Sequence, residues 1–256
     1  MTRIAIIGGS GLENPEILKD SRQVKVDTPY GEPGSDLKTG TINGVEVVLL
    51  SRHGSRHTIP PSQVNNRANI YAINDLGCTQ ILSTTACGSL REKIGRGDLV
   101  IPDQFIDFTR HRAVTFFDQF KPGEMKHTPM ADPFEKSLRE ILIRAAAKLG
   151  LRCHREGTVI TVEGPRFSTR AESNMFRLWG ADIINMSIAP ECILANELGI
   201  PYAAIAMSTD YDCWKTDEAP VTWEEVLTVF RQNVNNVTSL LSEAVSDIGK
   251  ISSKAP

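Results

Sequence analysis

The chain has 256 residues, and 28 basic against 31 acidic side chains leave a net charge of −3 with histidines neutral. With 41% hydrophobic and 23% charged residues its usage is that of an ordinary globular protein, which excludes disorder, and 19 glycines with 14 prolines are too few for a collagen-like or low-complexity chain. The mildly acidic balance provides no broad basic footprint for nucleic acid or anionic lipid, so an anionic ligand needs a local site.

No apolar run approaches the roughly 20 residues of a membrane span. The run at 4–7 is too short for a signal-peptide core and leads straight into Gly8 and Gly9. Cys78, Cys87, Cys153, Cys192 and Cys213 are odd in number, scattered and without CxxC spacing. Neither a disulfide framework nor a zinc site is indicated, and the chain reads as cytoplasmic. No repeat, charge block or linker divides it, so one domain over 1–256 is expected.

In chain order, short apolar runs with the length of buried strands lie at 4–7, 45–50, 80–82, 158–162, 181–184 and 202–207. Helical patterns lie between and after them. One spans 62–77. A second has Asp132 as cap, Pro133 at the first position, Glu135 three on, apolar Leu138, Ile141, Leu142, Ala145 and Leu149, and a stop at Gly150. A third spans 190–199. The last opens on a Thr222/Glu225 capping box and carries Val226, Val229, Phe230, Val234, Val237 and Leu241 on one face. Residues 105–130 are aromatic and basic without clear periodicity, as lids or interface elements are. Alternating strands and helices predict an α/β fold: a central, mostly parallel mixed sheet flanked by helices.

Ligands of open α/β sheets collect beyond the carboxyl ends of strands. Here those ends carry Gly8–Gly9–Ser10–Gly11, Ser51–Arg52–His53–Gly54, the hydroxyl-rich stretch 83–89 with Thr85, Asn185–Met186–Ser187, and Ser208–Thr209–Asp210–Tyr211–Asp212. Together they make an anion cradle of hydroxyls and amides with one fixed positive charge. The first lacks GxGxxG spacing, so a dinucleotide fold is disfavoured, and by itself it is equally a tight strand exit. Arg52–His53 taken alone could be a surface pair, and the hydroxyls could be helix caps.

Asp210 and Asp212 stand two apart after a strand, which projects both carboxylates to one side if the chain stays extended. Burial and mutual repulsion then keep one of them neutral, suited to donating a proton to a heterocyclic leaving group. A turn carboxylate and a Mg²⁺-binding DxD are the competing readings. Phe167, beyond Gly164–Pro165, is placed to stack on a flat base or, equally, to pack on a following helix. Met186 suits a sugar or thioether contact as well as a core; His57 and His127 have no assigned partner.

The stretches IIGGSGLENPEIL, SRHGSRHTIPPSQVNNRANI, TTACGSLRE, TVEGPRFSTRAES, WGADIINMS and AMSTDYDCWK run over nearly the whole chain. In them the chain resembles the 5′-methylthioadenosine phosphorylases of the trimeric purine nucleoside phosphorylase family. The resemblance implies phosphorolysis of S-methyl-5′-thioadenosine to adenine and 5-methylthioribose 1-phosphate in a homotrimer. Inorganic phosphate would be the co-substrate, with no metal or organic cofactor, no nucleic acid and no membrane partner.

The same likeness implies phosphate contacts from Ser10, Arg52, His53, Thr85, the Ala86 amide, Ser187 and Thr209. It puts Phe167 and Ser168 at the base, Met186 under the ribose, and Asp210, supported by Asp212, at purine N7 and the exocyclic amine. His127 corresponds to a histidine reaching a neighbouring subunit's 5′ pocket. Ser10 and Ser187 stand where threonine is common in eukaryotic members, keeping the hydroxyl; Trp223 stands where smaller aliphatic residues border the alkylthio group. Competing functions are a phosphorylase for adenosine, inosine, guanosine or methylthioinosine, a histidine phosphatase on the strength of Arg52–His53–Gly54, and a nucleoside sensor without catalysis.

Overall fold

The computed structural model describes residues 2–9, 12, 17–217 and 222–253, apart from the side chains of Trp223 and Gln232. Among these residues eleven strands share one sheet. They are β1 (Arg3–Gly8), β2 (Lys19–Val24), β3 (Leu37–Ile42), β4 (Val45–Ser51), β5 (Gln80–Ser89), β6 (Leu99–Val100), β7 (Gln104–Phe108), β8 (Cys153–His154), β9 (Thr158–Val162), β10 (Ile183–Asn185) and β11 (Tyr202–Tyr211). The helices are α1 (Asn66–Asp75), α2 (Lys136–Lys148), α3 (Arg170–Leu178), α4 (Ile188–Glu197) and α5 (Trp223–Ser252).

The main path runs β2-β3-β4-β1-β5-β10-β9-β7, and β11, β6 and β8 branch from β5. β1 pairs in parallel with β4 and β5, β11 with β5, and β9 with β10 and β7; β2–β3–β4, β5–β10 and β6–β11 are antiparallel. The expected α/β fold with a mostly parallel mixed sheet is therefore present. Strand alternation fills both faces. Ala5, Ile7, Val48 and Leu50 join one core with residues of α1 and α4, and Ile4, Ile6, Val47 and Leu49 join another with α2 and α5.

Several boundaries differ from the sequence expectation, each for a local reason. The helix expected over 62–77 is a 3₁₀ turn at Pro61–Gln63 followed by α1, whose cap is Asn65 accepting from the Ala68 amide. The α2 cap is Glu135 and not Asp132. Glu135 itself is extended, its amide donating to the Tyr202 carbonyl, and Phe134 before it is buried. Leu149, read as the last apolar position of this helix, is its C-cap and is 38% exposed. α4 starts at Ile188, two residues earlier than expected, with Pro190 in its first turn where no amide is needed. The Thr222/Glu225 capping box opens α5 as expected. β7 takes the start of the segment read as irregular; residues 109–130 contain no helix or strand.

Candidate functional site

β5 divides the sheet. Its residues 80–83 pair with β1, and only at Gly88 and Ser89 does β10 take that side. The intervening stretch from Thr84 to Cys87 therefore borders an opening between diverging neighbours, the geometry in which α/β sheets place ligands. A cavity of about 470 Å³ occupies it. The ends of β4, β5, β9, β10 and β11 all reach this one space, through Arg52 and His53, Thr85 to Gly88, Phe167 and Ser168, Asn185 to Ser187, and Thr209, Asp210 and Asp212. Residues 57–61 and Val226 of α5 complete its wall.

One end of the cavity is lined by hydroxyls. Thr85 Oγ1 and Ser187 Oγ lie 3.2 Å apart, and the Asn185 amide donates to them at 3.3 and 3.4 Å. Asn185 is itself held by the Thr161 hydroxyl, 2.8 Å from its Oδ1. Ser187 is also the N-cap residue of α4, so the positive end of that helix faces the same hydroxyls. His53 donates from Nδ1 to the Ile59 carbonyl at 2.8 Å, since a carbonyl only accepts. That bond sets the ring's orientation and leaves Nε2 as the atom for other partners.

The fixed positive charge expected of the cradle is compensated. Arg52 is buried, its Nε and Nη2 lie 2.5 and 3.0 Å from the Glu191 carboxylate, and Nη1 donates to the Thr84 carbonyl at 2.8 Å. Gly9 is required beside it, because a Cβ there would strike Arg52 Nη1 and come within 2.6 Å of the Thr84 carbonyl oxygen. Thr209, grouped by resemblance with the phosphate contacts, spends its hydroxyl elsewhere: it is 2.7 Å from Asp210 Oδ1 and 3.2 Å from the Cys87 carbonyl. Ser10 lies outside the described residues.

The other end is acidic and apolar. Asp210 and Asp212 both sit over Gly88, where a Cβ would lie 3.0 Å from Asp210 Oδ2 and 3.5 Å from Asp212 Cβ. A register shift between Ser208 and Asp210 turns the strand at that point. Burial pushes the Asp210 carboxyl up to about 7, partly offset by the Thr209 hydroxyl and reinforced by the Asp212 charge. Burial also raises Asp212. Desolvation, more than the charge of Asp212, thus holds Asp210 protonated up to about neutral pH. The Asp212 Oδ2 and Ser168 Oγ atoms are buried and have no hydrogen-bond partner among the described residues.

Phe167 is 42% exposed and lines the cavity; it is not buried against the following helix. Met186 lines the same wall. Its carbonyl accepts from Arg112, which also donates to the Glu163 carboxylate at 2.7 Å. His127 is not brought in: it is exposed, with its ring packed on Phe120 at a centroid distance of 6.0 Å. Trp223 begins α5, and its side chain lies outside the described residues. Sequence reasoning missed Glu191, Glu163 and the 57–61 wall. A glutamate in the apolar run of 188–195 was the available signal for the first, since a charge on a buried helix needs a partner. Among the described residues, no group of three or more His, Cys, Asp and Glu side chains could hold a metal ion. Burial keeps the Cys87 thiol protonated, so it is not an activated nucleophile.

A pocket that sets hydroxyl donors opposite a protonatable carboxyl at the strand ends of an α/β sheet is suited to group transfer on a small molecule. The chain belongs to the phosphorylase superfamily, whose family model matches residues 3–246. It is 55% identical over 250 residues to the S-methyl-5′-thioadenosine phosphorylase of Xenopus tropicalis, covering 96% of this chain and 89% of the relative. To the enzyme of that name from Drosophila melanogaster it is 50% identical over 250 residues, covering 97% and 86%. Methylthioadenosine phosphorylase from Schistosoma mansoni in complex with adenine superposes with a TM-score of 0.93 at 44% identity, covering 98% of this chain and 93% of the other. A mutant of the adenosine/methylthioadenosine phosphorylase of that organism, in complex with methylthioadenosine, gives 0.91 at 43% identity, covering 98% and 92%.

Proposed function

We propose that the chain catalyses phosphorolysis of S-methyl-5′-thioadenosine, releasing adenine and 5-methylthioribose 1-phosphate. The observation that carries this reading is one cavity with hydroxyl donors and a helix N-terminus at one end and a buried, protonatable Asp210 at the other. Phosphate is read at the first end, against Thr85, Ser187, His53 and the Arg52 edge, with the Ala86 amide beside them. The nucleoside lies between, its ribose against Met186 and its base against Phe167, Ser168, Asp210 and Asp212.

In the reaction the C1′–N9 bond lengthens, positive charge grows on the sugar, and a phosphate oxygen forms the new bond to C1′. The electron pair left on the purine is drawn toward N7 by the Asp210 O–H. A neutral carboxyl donates to N7 with its hydroxyl and accepts from a 6-amino group with its carbonyl. A 6-oxo purine offers two acceptors to that single donor, so adenine is favoured. Positioning and electrostatics supply the acceleration, with no metal or organic cofactor. The reading includes a homotrimer, with His127 serving a neighbour's 5′ pocket, in the cytoplasm.

The test compares methylthioadenosine, adenosine, inosine and methylthioinosine, each with and without phosphate. Phosphate-dependent adenine release from methylthioadenosine is expected as the fastest reaction. Binding without turnover would make the protein a sensor, and faster cleavage of inosine would make it a 6-oxopurine enzyme. Turnover of adenosine as an additional substrate fits the double name of the Schistosoma mansoni relative.

A further inference from the structure

Behind the hydroxyl end of the cavity stands a carboxylate that no substrate role explains. Glu191, in the first turn of α4, is fully buried and accepts four hydrogen bonds from three residues outside that helix. Arg52 Nε and Nη2 donate at 2.5 and 3.0 Å, the Ser83 hydroxyl at 2.7 Å and the Tyr202 hydroxyl at 2.8 Å. Ser83 closes the ring by accepting from Arg52 Nη2 at 2.7 Å. Two edges of a planar guanidinium are thereby fixed, and its charge is cancelled where it borders the cavity. Ser187, three residues before Pro190 in the same helix start, faces the cavity, so one helix carries both the anion-binding hydroxyl and the clamp on the arginine.

We propose that Glu191 is a positioning residue for the phosphate co-substrate: it sets the orientation of Arg52 and leaves phosphate to be recognised by directed donors more than by net charge. The inference rests on the reading of Arg52, Thr85 and Ser187 as the phosphate end. Glu191→Gln keeps the shape of the side chain but sets its amide against the donors now aimed at it, so Arg52 shifts and regains a net charge. The expected result is a rise of about tenfold in the KM for phosphate with the KM for the nucleoside held within about twofold, the split that distinguishes a local role from general destabilisation. Tyr202→Phe, which deletes one donor to Glu191 and leaves Arg52 intact, is expected to move the phosphate KM the same way by about threefold.

Arg52→Lys is the control. If it leaves the phosphate KM unchanged, the assignment of Arg52 to phosphate fails. If it raises that KM while Tyr202→Phe and a folded Glu191→Gln do not, the positioning role alone is overturned. Should Glu191→Gln not fold, Tyr202→Phe decides: a phosphate-selective rise supports the inference, and equal changes for both substrates or none reject it.

Discussion

At the scale of single residues the proposed chemistry turns on Asp210. Its carboxyl is pushed up to about 7, chiefly by burial, so the protonated donor is present below neutrality and is lost above it. The kcat/KM for methylthioadenosine is therefore expected to decline as pH rises past about 7; a flat profile to pH 9 would remove the donor role. Asp210→Asn is expected to cut methylthioadenosine turnover by about 10²-fold or more and to favour 6-oxo substrates relatively. The same shift is a stability statement. Between the ordinary value of 3.8 and about 7 the folded protein keeps a proton that the unfolded chain has released. Stability from this group is thus lost as pH rises through that window. Asp210→Asn escapes that loss, and the gap in thermal midpoint in its favour should widen from pH 4 to pH 8, equivalent to a few kcal/mol at most. Parallel melting curves would show that Asp210 is not held neutral.

At the scale of elements, the proposed base end depends on how α3 begins. Thr169 and Glu172 form a reciprocal capping box directly after Phe167 and Ser168, and Arg166 pairs with Glu172 at 2.7 Å through both terminal guanidinium nitrogens. Those bonds hold the Glu172 carboxyl at about 2. Thr169→Ala is expected to cost about 1 kcal/mol of stability and to raise the nucleoside KM, leaving the phosphate KM in place. Equal changes in both would mean that α3 serves the fold alone. This helix was not legible in the sequence, although its cap pattern is present, because its short run buries only Ser173 and Phe176. β2 was invisible for a related reason: five of its six residues are exposed at the sheet edge, with no apolar alternation to find. The runs in β1, β4, β9 and β11 were legible because both faces of the central sheet are covered, which demands near-continuous apolar residues.

For the whole molecule the prediction concerns assembly. Phe120 and Met125 are 46% and 71% exposed in the segment that carries His127, while the base of that segment is tied down by Glu163, Glu197 and Arg67. Sedimentation is expected to give a trimer, and Met125→Glu to weaken it; a fully active monomer would contradict the proposed homotrimer. The fold class and the polar strand ends that meet at one cavity, Asp210 and Asp212 among them, were determined by the sequence itself, because buried strands and their polar exits are written in local patterns. Only the tertiary structure decided that Arg52 is paired with Glu191, that Thr209 serves Asp210, that Phe167 faces the cavity, and that His127 stays outside it. Those outcomes depend on partners as many as 139 positions apart in the chain, and on the desolvation that follows from bringing them together, which no local pattern encodes.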